Sequence, residues 1–128
     1  MTEFVATTVF AGIPVGSLDA AVDWYAKVLD RDPDARPAPG IADYYLADDH
    51  VPERGTLQLR EDARRAGGGL ATLNVEDIGT LADVLAGLGV SFETQRFPIE
   101  AETVSAVTVG TFEDPDGNAI TIVQPHRR

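Results

Sequence analysis

Cysteine is absent from the 128 residues. Its absence excludes a disulfide framework, a thiolate metal site and a cysteine nucleophile. Basic residues are scarce, 10 against 21 acidic ones, so the formal charge is −11. A surface of that sign argues against nucleic acid and anionic membranes, which both need a positive partner. It permits a cationic ligand. No segment approaches the roughly 18 apolar residues that span a bilayer. The opening Met1-Thr2-Glu3-Phe4 lacks the basic start and apolar run of a signal peptide. The expectation is a soluble cytoplasmic protein with neither a nucleic-acid nor a membrane partner.

What is present is an ordinary globular composition, 44% hydrophobic, long enough for one domain or two small modules sharing a core. Residues 4–15 are rich in Val, Ile, Thr and Phe and read as a strand. Ser17 stands where a helix N-cap belongs, and Leu18, Val22, Tyr25 and Leu29 follow at helical spacing. The spacing predicts a helix over 18–29, stopped by Asp32-Pro33. Residues 36–40 read as a short irregular strand or a loop. Residues 43–47 and 56–60 read as strands on either side of a polar turn. Residues 64–69 carry three consecutive glycines and read as a flexible connection.

The pattern then begins again. Residues 70–75 read as a strand, Asp77 as an N-cap, and Ile78, Leu81, Ala82, Leu85 and Leu88 as a helical stripe ended by Gly89. Strands are expected over 90–94 and 104–112, with a loop over 95–102 between them. A tight turn, Asp114-Pro115-Asp116-Gly117-Asn118, leads into a last strand from Ala119, and residues 125–128 read as a tail. Val15 and Val75, Ser17 and Asp77, and Leu18 and Ile78 share an offset of 60 residues. Leu57-Gln58-Leu59 and Ile120-Thr121-Ile122 correspond at an offset of 63. Each half is therefore a strand, a helix and about three further strands, and one helix covers only one face of such a sheet.

The two βαβββ halves, the Val-x-[Ser/Asp]-Leu-x-x-Ala helix start and the closing Phe-x-Asp-Pro-Asp-Gly-Asn-x-Ile resemble the vicinal oxygen chelate superfamily. Glyoxalase I, extradiol dioxygenases and bleomycin-resistance proteins belong to it. The resemblance implies an α+β fold in which two βαβββ modules form a cupped mixed sheet with helices on the convex side. It implies a single domain, with module 1 over about 4–63, a linker over about 64–69 and module 2 over about 70–125. It also implies a ligand in the cup, and a homodimer.

Metal-dependent members of that superfamily place a histidine early on the first strand of each half and carboxylates on the last strands. By the resemblance, those positions are Phe10, Leu70, Thr121 and Gln58 here. Phenylalanine and leucine cannot ligate a metal, and threonine and glutamine are weak neutral ligands. The two histidines, His50 and His126, fall in a turn and in the tail. No metal site and no cofactor is expected, and Lewis-acid chemistry on a chelated oxygen pair is not expected either.

Alternation along the strands places Gly12, Thr56, Arg60, Thr72 and Asn74 on the face of Phe10, Gln58, Leu70 and Thr121. Tyr45 is favoured over Tyr44 for the same face, where it would stack on a planar ligand or pack at the rim. The expected ligand-binding set is Phe10, Tyr45, Gln58, Arg60, Leu70, Thr72, Asn74 and Thr121. Arg60 would bind a ligand carboxylate or balance neighbouring acids. Glu93, on the expected 90–94 strand, and Glu100 and Glu102, in the loop after it, are the acid–base candidates, and no catalytic residue is assigned. The function read from these residues is metal-independent binding of an amphipathic, cationic or aromatic small molecule, as in bleomycin-resistance proteins. The alternatives are a metal-independent isomerase, cyclase or lyase using a loop acid or a tyrosine, and a cup turned into an interaction surface.

Overall fold

The computed structural model describes residues 3–128; Met1 and Thr2, which open the stretch read for a leader peptide, lie outside the described residues. Two compact units, Met1–Ala66 and Gly67–Arg128, make up the chain. Among the described residues there are two α-helices and seven strands, in one mixed sheet per unit. This is the α+β class expected. No helix among the described residues is long and apolar enough to cross a membrane.

Unit 1 contains β1 (Phe10–Val15), α1 (Leu18–Leu29), β2 (Ile41–Tyr45) and β3 (Thr56–Glu61). The sheet order is β1-β3-β2, with β3 parallel to β1 and antiparallel to β2. Helix α1 starts where Ser17 accepts a hydrogen bond from the Ala20 amide, with Asp19 in the favourable first turn. It ends at Asp30, which takes the left-handed conformation and caps with its amide on Ala26. The helix thus has the expected span of 18–29, and the cap at Asp30 ends it ahead of Asp32-Pro33. Leu18, Ala21, Val22, Tyr25 and Val28 bury one face of α1. They pack against β2 and β3, whose buried Ala42, Tyr44, Leu57 and Leu59 join Ile13 and Val15 in the unit's core.

Two expectations for unit 1 need correction. The first strand starts at Phe10, not at residue 4. Its partner β3 starts at Thr56, opposite Phe10, and the chain before Thr56 turns away through a 3-10 turn at Pro52–Arg54. Residues 3–9 therefore have no strand to pair with, and Phe4, Val5 and Val9 are exposed. The second strand spans Ile41–Tyr45 rather than 43–47, because Ala47 takes a positive φ of 65° and leaves the sheet. Residues 36–40 form a loop, and the nearby strand character shrinks to a single bridge between Ala35 and Asp43.

Unit 2 contains β4 (Leu70–Asn74), α2 (Ile78–Gly87), β5 (Thr94–Pro98), β6 (Val104–Glu113) and β7 (Ala119–Arg127). The order is β4-β7-β6-β5, and only β4 with β7 is parallel. Asp77 caps α2 by accepting from the Gly79 amide. The repeat extends to register. Adding its offsets to Gly12 and Gln58, which are partners across β1 and β3, lands on Thr72 and Thr121, which are partners across β4 and β7.

The strand expected at 90–94 lies at Thr94–Pro98 instead, inside the stretch expected to be loop. Phe92 explains the shift. Its ring covers Gly110, where an added Cβ would come within 2.7 Å, and meets Phe112 edge-on at 6.0 Å. Pairing begins only at Thr94, opposite Gly110, so Glu93 precedes the strand rather than lying on it. Pro98 is tolerated as the last residue of an edge strand. The expected tail is also strand, since β7 runs to Arg127 and pairs with β6 past a register shift between Val104 and Ala106.

The turn at residues 114–118 is bonded more densely than its sequence suggests. Asp114 Oδ1 accepts from the amides of Asp116 at 3.0 Å and Asn118 at 2.9 Å, and its Oδ2 accepts from Asn118 Nδ2 at 2.8 Å. Asn118 Oδ1 in turn accepts from the amides of Gly67 at 3.1 Å and Gly69 at 2.7 Å. Both side chains are buried. The turn thereby holds the glycine-rich segment against its own unit. Gly67 needs to be glycine, because its φ is +90° and an added Cβ would stand 2.5 Å from the Asp116 carbonyl oxygen.

Candidate ligand-binding site

Each sheet has a face turned away from its helix. On unit 1 that face is ordered in three rows by register. Phe10, Thr56 and Tyr45 lie side by side across β1, β3 and β2. Gly12, Gln58 and Asp43 form the next row, and Pro14, Arg60 and Ile41 the third. Tyr45 thus shares a face with Thr56 and Gln58, while Tyr44 is fully buried on the helix side. Burial first, then the Asp32 carboxylate, pushes the Tyr44 phenol up to about 12. Its hydroxyl has no hydrogen-bond partner among the described residues, and the Arg31 guanidinium lies 5.8 Å from its ring centre.

A polar chain runs across the middle of the unit 1 face. Asp43, 4% exposed, accepts at Oδ1 from Gln58 Nε2 at 2.8 Å. Gln58 Oε1 accepts from Arg60 Nη1 at 2.9 Å. A carboxylate can only accept, so Asp43 decides which way the Gln58 amide faces, and the amide oxygen is left to hold the guanidinium. The stem of Arg60 lies over Gly12, where an added Cβ would be 3.6 Å from Arg60 Cδ. One row away, the Thr56 hydroxyl is buried with no partner among the described residues. It lies between Phe10, which is 43% exposed, and Tyr45, which is partly exposed.

Strand β2 is held from its outer side as well. The Tyr45 amide donates to Asp34 Oδ2 at 2.7 Å, and the Tyr45 carbonyl accepts from Arg31 Nη2. Asp34 also pairs with Arg31 at 3.2 Å. Tyr45 and Asp43 therefore sit on a braced strand, which preorganises the face they share.

On unit 2 the open face carries Leu70, Thr72 and Asn74 of β4 and Thr121 of β7. Thr72, Thr121 and Thr111 form one row, with the Thr111 and Thr121 hydroxyls 2.9 Å apart. Leu70 is 81% exposed. The eight expected binding residues therefore fall into two groups, four on each unit's open face. Sequence reasoning missed Asp43 and left Thr56 out of the binding set. Asp43 was findable once residues 41–45 had been aligned with residues 56–60.

A divalent metal does not fit the positions that would hold one. Phe10 and Leu70 offer only hydrocarbon, the Gln58 amide is engaged at both ends, and Thr121 offers a neutral hydroxyl shared with Thr111. Among the described residues, no group of three or more His, Cys, Asp or Glu side chains could hold a metal ion. His50 is exposed, 3.8 Å from Asp34. His126 lies on β7, with Nε2 2.7 Å from the Thr108 hydroxyl. Glu93, Glu100 and Glu102 are all exposed. Trp24 is half-buried and meets Tyr25 edge-on at 4.9 Å.

Residues 6–122 match the profile of the Glyoxalase/Bleomycin resistance protein/Dioxygenase superfamily. No curated protein matches the chain. Among solved structures, a glyoxalase/bleomycin resistance protein from Catenulispora acidiphila is 29% identical, with a TM-score of 0.70 over 93% of this chain and 98% of that one. TnmS3, an antibiotic binding protein from a Streptomyces species, is 22% identical, with a TM-score of 0.66 over 97% of this chain and 99% of that one. A glyoxalase/bleomycin resistance protein/dioxygenase from Alicyclobacillus acidocaldarius is 17% identical, with a TM-score of 0.64 over 92% of this chain and 90% of that one. At those identities, the last two speak to the fold alone.

Proposed function

This chain belongs to the Glyoxalase/Bleomycin resistance protein/Dioxygenase superfamily, and from that membership we propose that it is a metal-independent small-molecule-binding protein. It sequesters or carries an amphipathic compound with an aromatic body. The observation that carries this reading is the content of the four family ligand positions. Phe10, Gln58, Leu70 and Thr121 replace a charged ligand set with hydrocarbon and neutral hydrogen-bonding groups, the mixture expected of an organic-ligand site. Affinity then comes from apolar burial with a few placed hydrogen bonds, supplied on the unit 1 face by Phe10, Tyr45 and Gln58 and on the unit 2 face by Leu70, Thr72, Asn74 and Thr121, each face taken by itself. The antibiotic-binding neighbour is consistent with this reading. The charge of −11 steers net-cationic compounds toward the protein. It acts in the cytoplasm as a homodimer, which would cover the exposed Phe97 side chain.

One observation favours the enzymatic alternative, a metal-independent isomerase, cyclase or lyase. Asp43 is a buried carboxylate next in sequence but one to Tyr45, on the same face. Its Oδ1 is engaged by Gln58, however, which suits a positioning group better than a proton acceptor. The loop acids offered for that role are exposed.

The test is equilibrium dialysis of the full chain against bleomycin A2 and, separately, 2-naphthamide, followed by mass spectrometry of the recovered compound. Saturable binding with the compound recovered unchanged is expected. No saturable binding of either probe contradicts the reading, and chemical conversion establishes the enzymatic alternative.

A further inference from the structure

We infer that the unit 1 face recognises a carboxylate on its ligand, forked by the free edge of Arg60 and set by the Asp43–Gln58–Arg60 chain. The inference rests on the small-molecule-binding reading and names the chemical class of the ligand's polar group. It starts from what Gln58 leaves unused. Gln58 occupies Nη1 of the guanidinium. The Nε and Nη2 groups form the opposite edge, and that edge has the parallel geometry that matches the two oxygens of a carboxylate. None of the ion pairs among the described residues involves Arg60. Its charge is not spent on an ion pair with an acid among the described residues.

The support beneath Arg60 argues against chance placement. A long exposed arginine normally samples many rotamers, and fixing it is entropically costly. Here the stem is laid over Gly12, and the head is held by an amide that a buried carboxylate orients. A solubilising arginine needs none of this. The Asp43 charge is 4% exposed and separated from Arg60 by the amide, so it anchors the chain without closing the fork. On the far side of the Gly12-Gln58-Asp43 row, over which the Arg60 stem leans, the row of Phe10, Thr56 and Tyr45 offers two aromatic rings and a buried hydroxyl that lacks a partner among the described residues. That row suits the ring system of an aromatic acid and one polar substituent on it.

The net charge of −11 does not oppose this. Scattered surface acids act through solvent and are screened over about 8 Å at physiological ionic strength. A guanidinium in contact with the ligand acts at hydrogen-bond distance. Net charge biases which molecules approach, and the contact group decides which end of the molecule is held.

Three matched probes separate the outcomes by calorimetric titration of the full chain: 2-naphthoate, the neutral 2-naphthamide and the cationic 2-naphthylmethylammonium. The carboxylate is expected to bind at least about tenfold tighter than the amide, the scale of a charge-assisted pair. Arg60→Met should erase that difference, lowering 2-naphthoate affinity far more than 2-naphthamide affinity, while Arg60→Lys should keep only part of it. Gln58→Leu, which removes the positioning amide, should lower 2-naphthoate affinity more than 2-naphthamide affinity. A merely structural defect would lower both equally. Equal or tighter binding of the ammonium probe overturns the carboxylate assignment and leaves the binding reading standing. Persistence of the carboxylate preference in Arg60→Met overturns it in the same way. Failure of all three probes to bind removes the aromatic-ligand reading and this inference together.

Discussion

Replacing Asn118 by alanine should destabilise the protein more than any surface substitution, and the structure indicates by how much. The amide accepts two backbone hydrogen bonds, from Gly67 and Gly69, and donates one to the Asp114 carboxylate. A neutral hydrogen bond contributes about 1 kcal/mol and one to a charged group about 1.5–3 kcal/mol. Gly69 is buried, while the Gly67 amide is close enough to the surface for water to compensate part of its loss. The expected destabilisation is about 3–4 kcal/mol, which for a chain of this size lowers Tm by roughly 10–15 °C. Urea unfolding should show a lower midpoint with an unchanged slope. Asn118→Asp separates bonding from shape. It keeps an acceptor for the two glycine amides but sets a second carboxylate where Nδ2 stood, 2.8 Å from Asp114. The added carboxyl has its folded pKa raised by the neighbouring charge. Its penalty should therefore be small near pH 4 and grow as pH rises toward 7. A loss below about 1 kcal/mol for Asn118→Ala, or a pH-independent penalty for Asn118→Asp, would refute the account of this turn.

Tyr44→Phe should leave stability unchanged or raise it by about 1 kcal/mol, because the hydroxyl it removes is buried without a partner among the described residues. In the parent, the raised Tyr44 pKa makes stability fall as pH climbs from about 10 to about 12, and the variant should lose that part of the alkaline decline in chemical denaturation. Gly110→Ala should displace the Phe92 ring that lies 2.7 Å from the added Cβ, read as a change in near-ultraviolet circular dichroism and a lower Tm. Ser17→Ala should cost about 1 kcal/mol through the lost cap on α1, measured by urea unfolding. Glu93→Gln, Glu100→Gln and Glu102→Gln should each leave 2-naphthamide binding by calorimetry unchanged, since all three side chains are exposed.

Helix α1 was legible to the residue at its start because its cap, its first-turn acid and its apolar stripe all agree. The turn at 114–118 was legible as a turn, and strand alternation put Thr121 and Thr72, which pair across β7 and β4, on one face. What could not be read was the bonding of Asn118 to Gly67 and Gly69, because a side chain reaching 49 residues along the chain leaves no local pattern. Strand β5 was misplaced because Val90 and Phe92 look like strand residues, yet Phe92 is drawn off the sheet to cover Gly110. Residues 125–128 were read as a tail because Pro125 looks like a breaker. The parallel partner β4 ends at Asn74, opposite Val123, so beyond that point β7 has an open side where a missing amide hydrogen is harmless. Tyr45 was assigned to the open face by alternation alone. Asp43 shares that face by the same alternation, but its role emerged only from the register that sets it beside Gln58.

A crystal structure of the full chain grown with 2-naphthoate tests the central claim most directly. The account predicts the naphthyl ring against Phe10 and Tyr45, with the carboxylate about 3 Å from Arg60 Nε and Nη2 and Gln58 still bridging Asp43 and Arg60. A naphthoate bound away from both open faces, or a metal ion ligated on either of them, would contradict it.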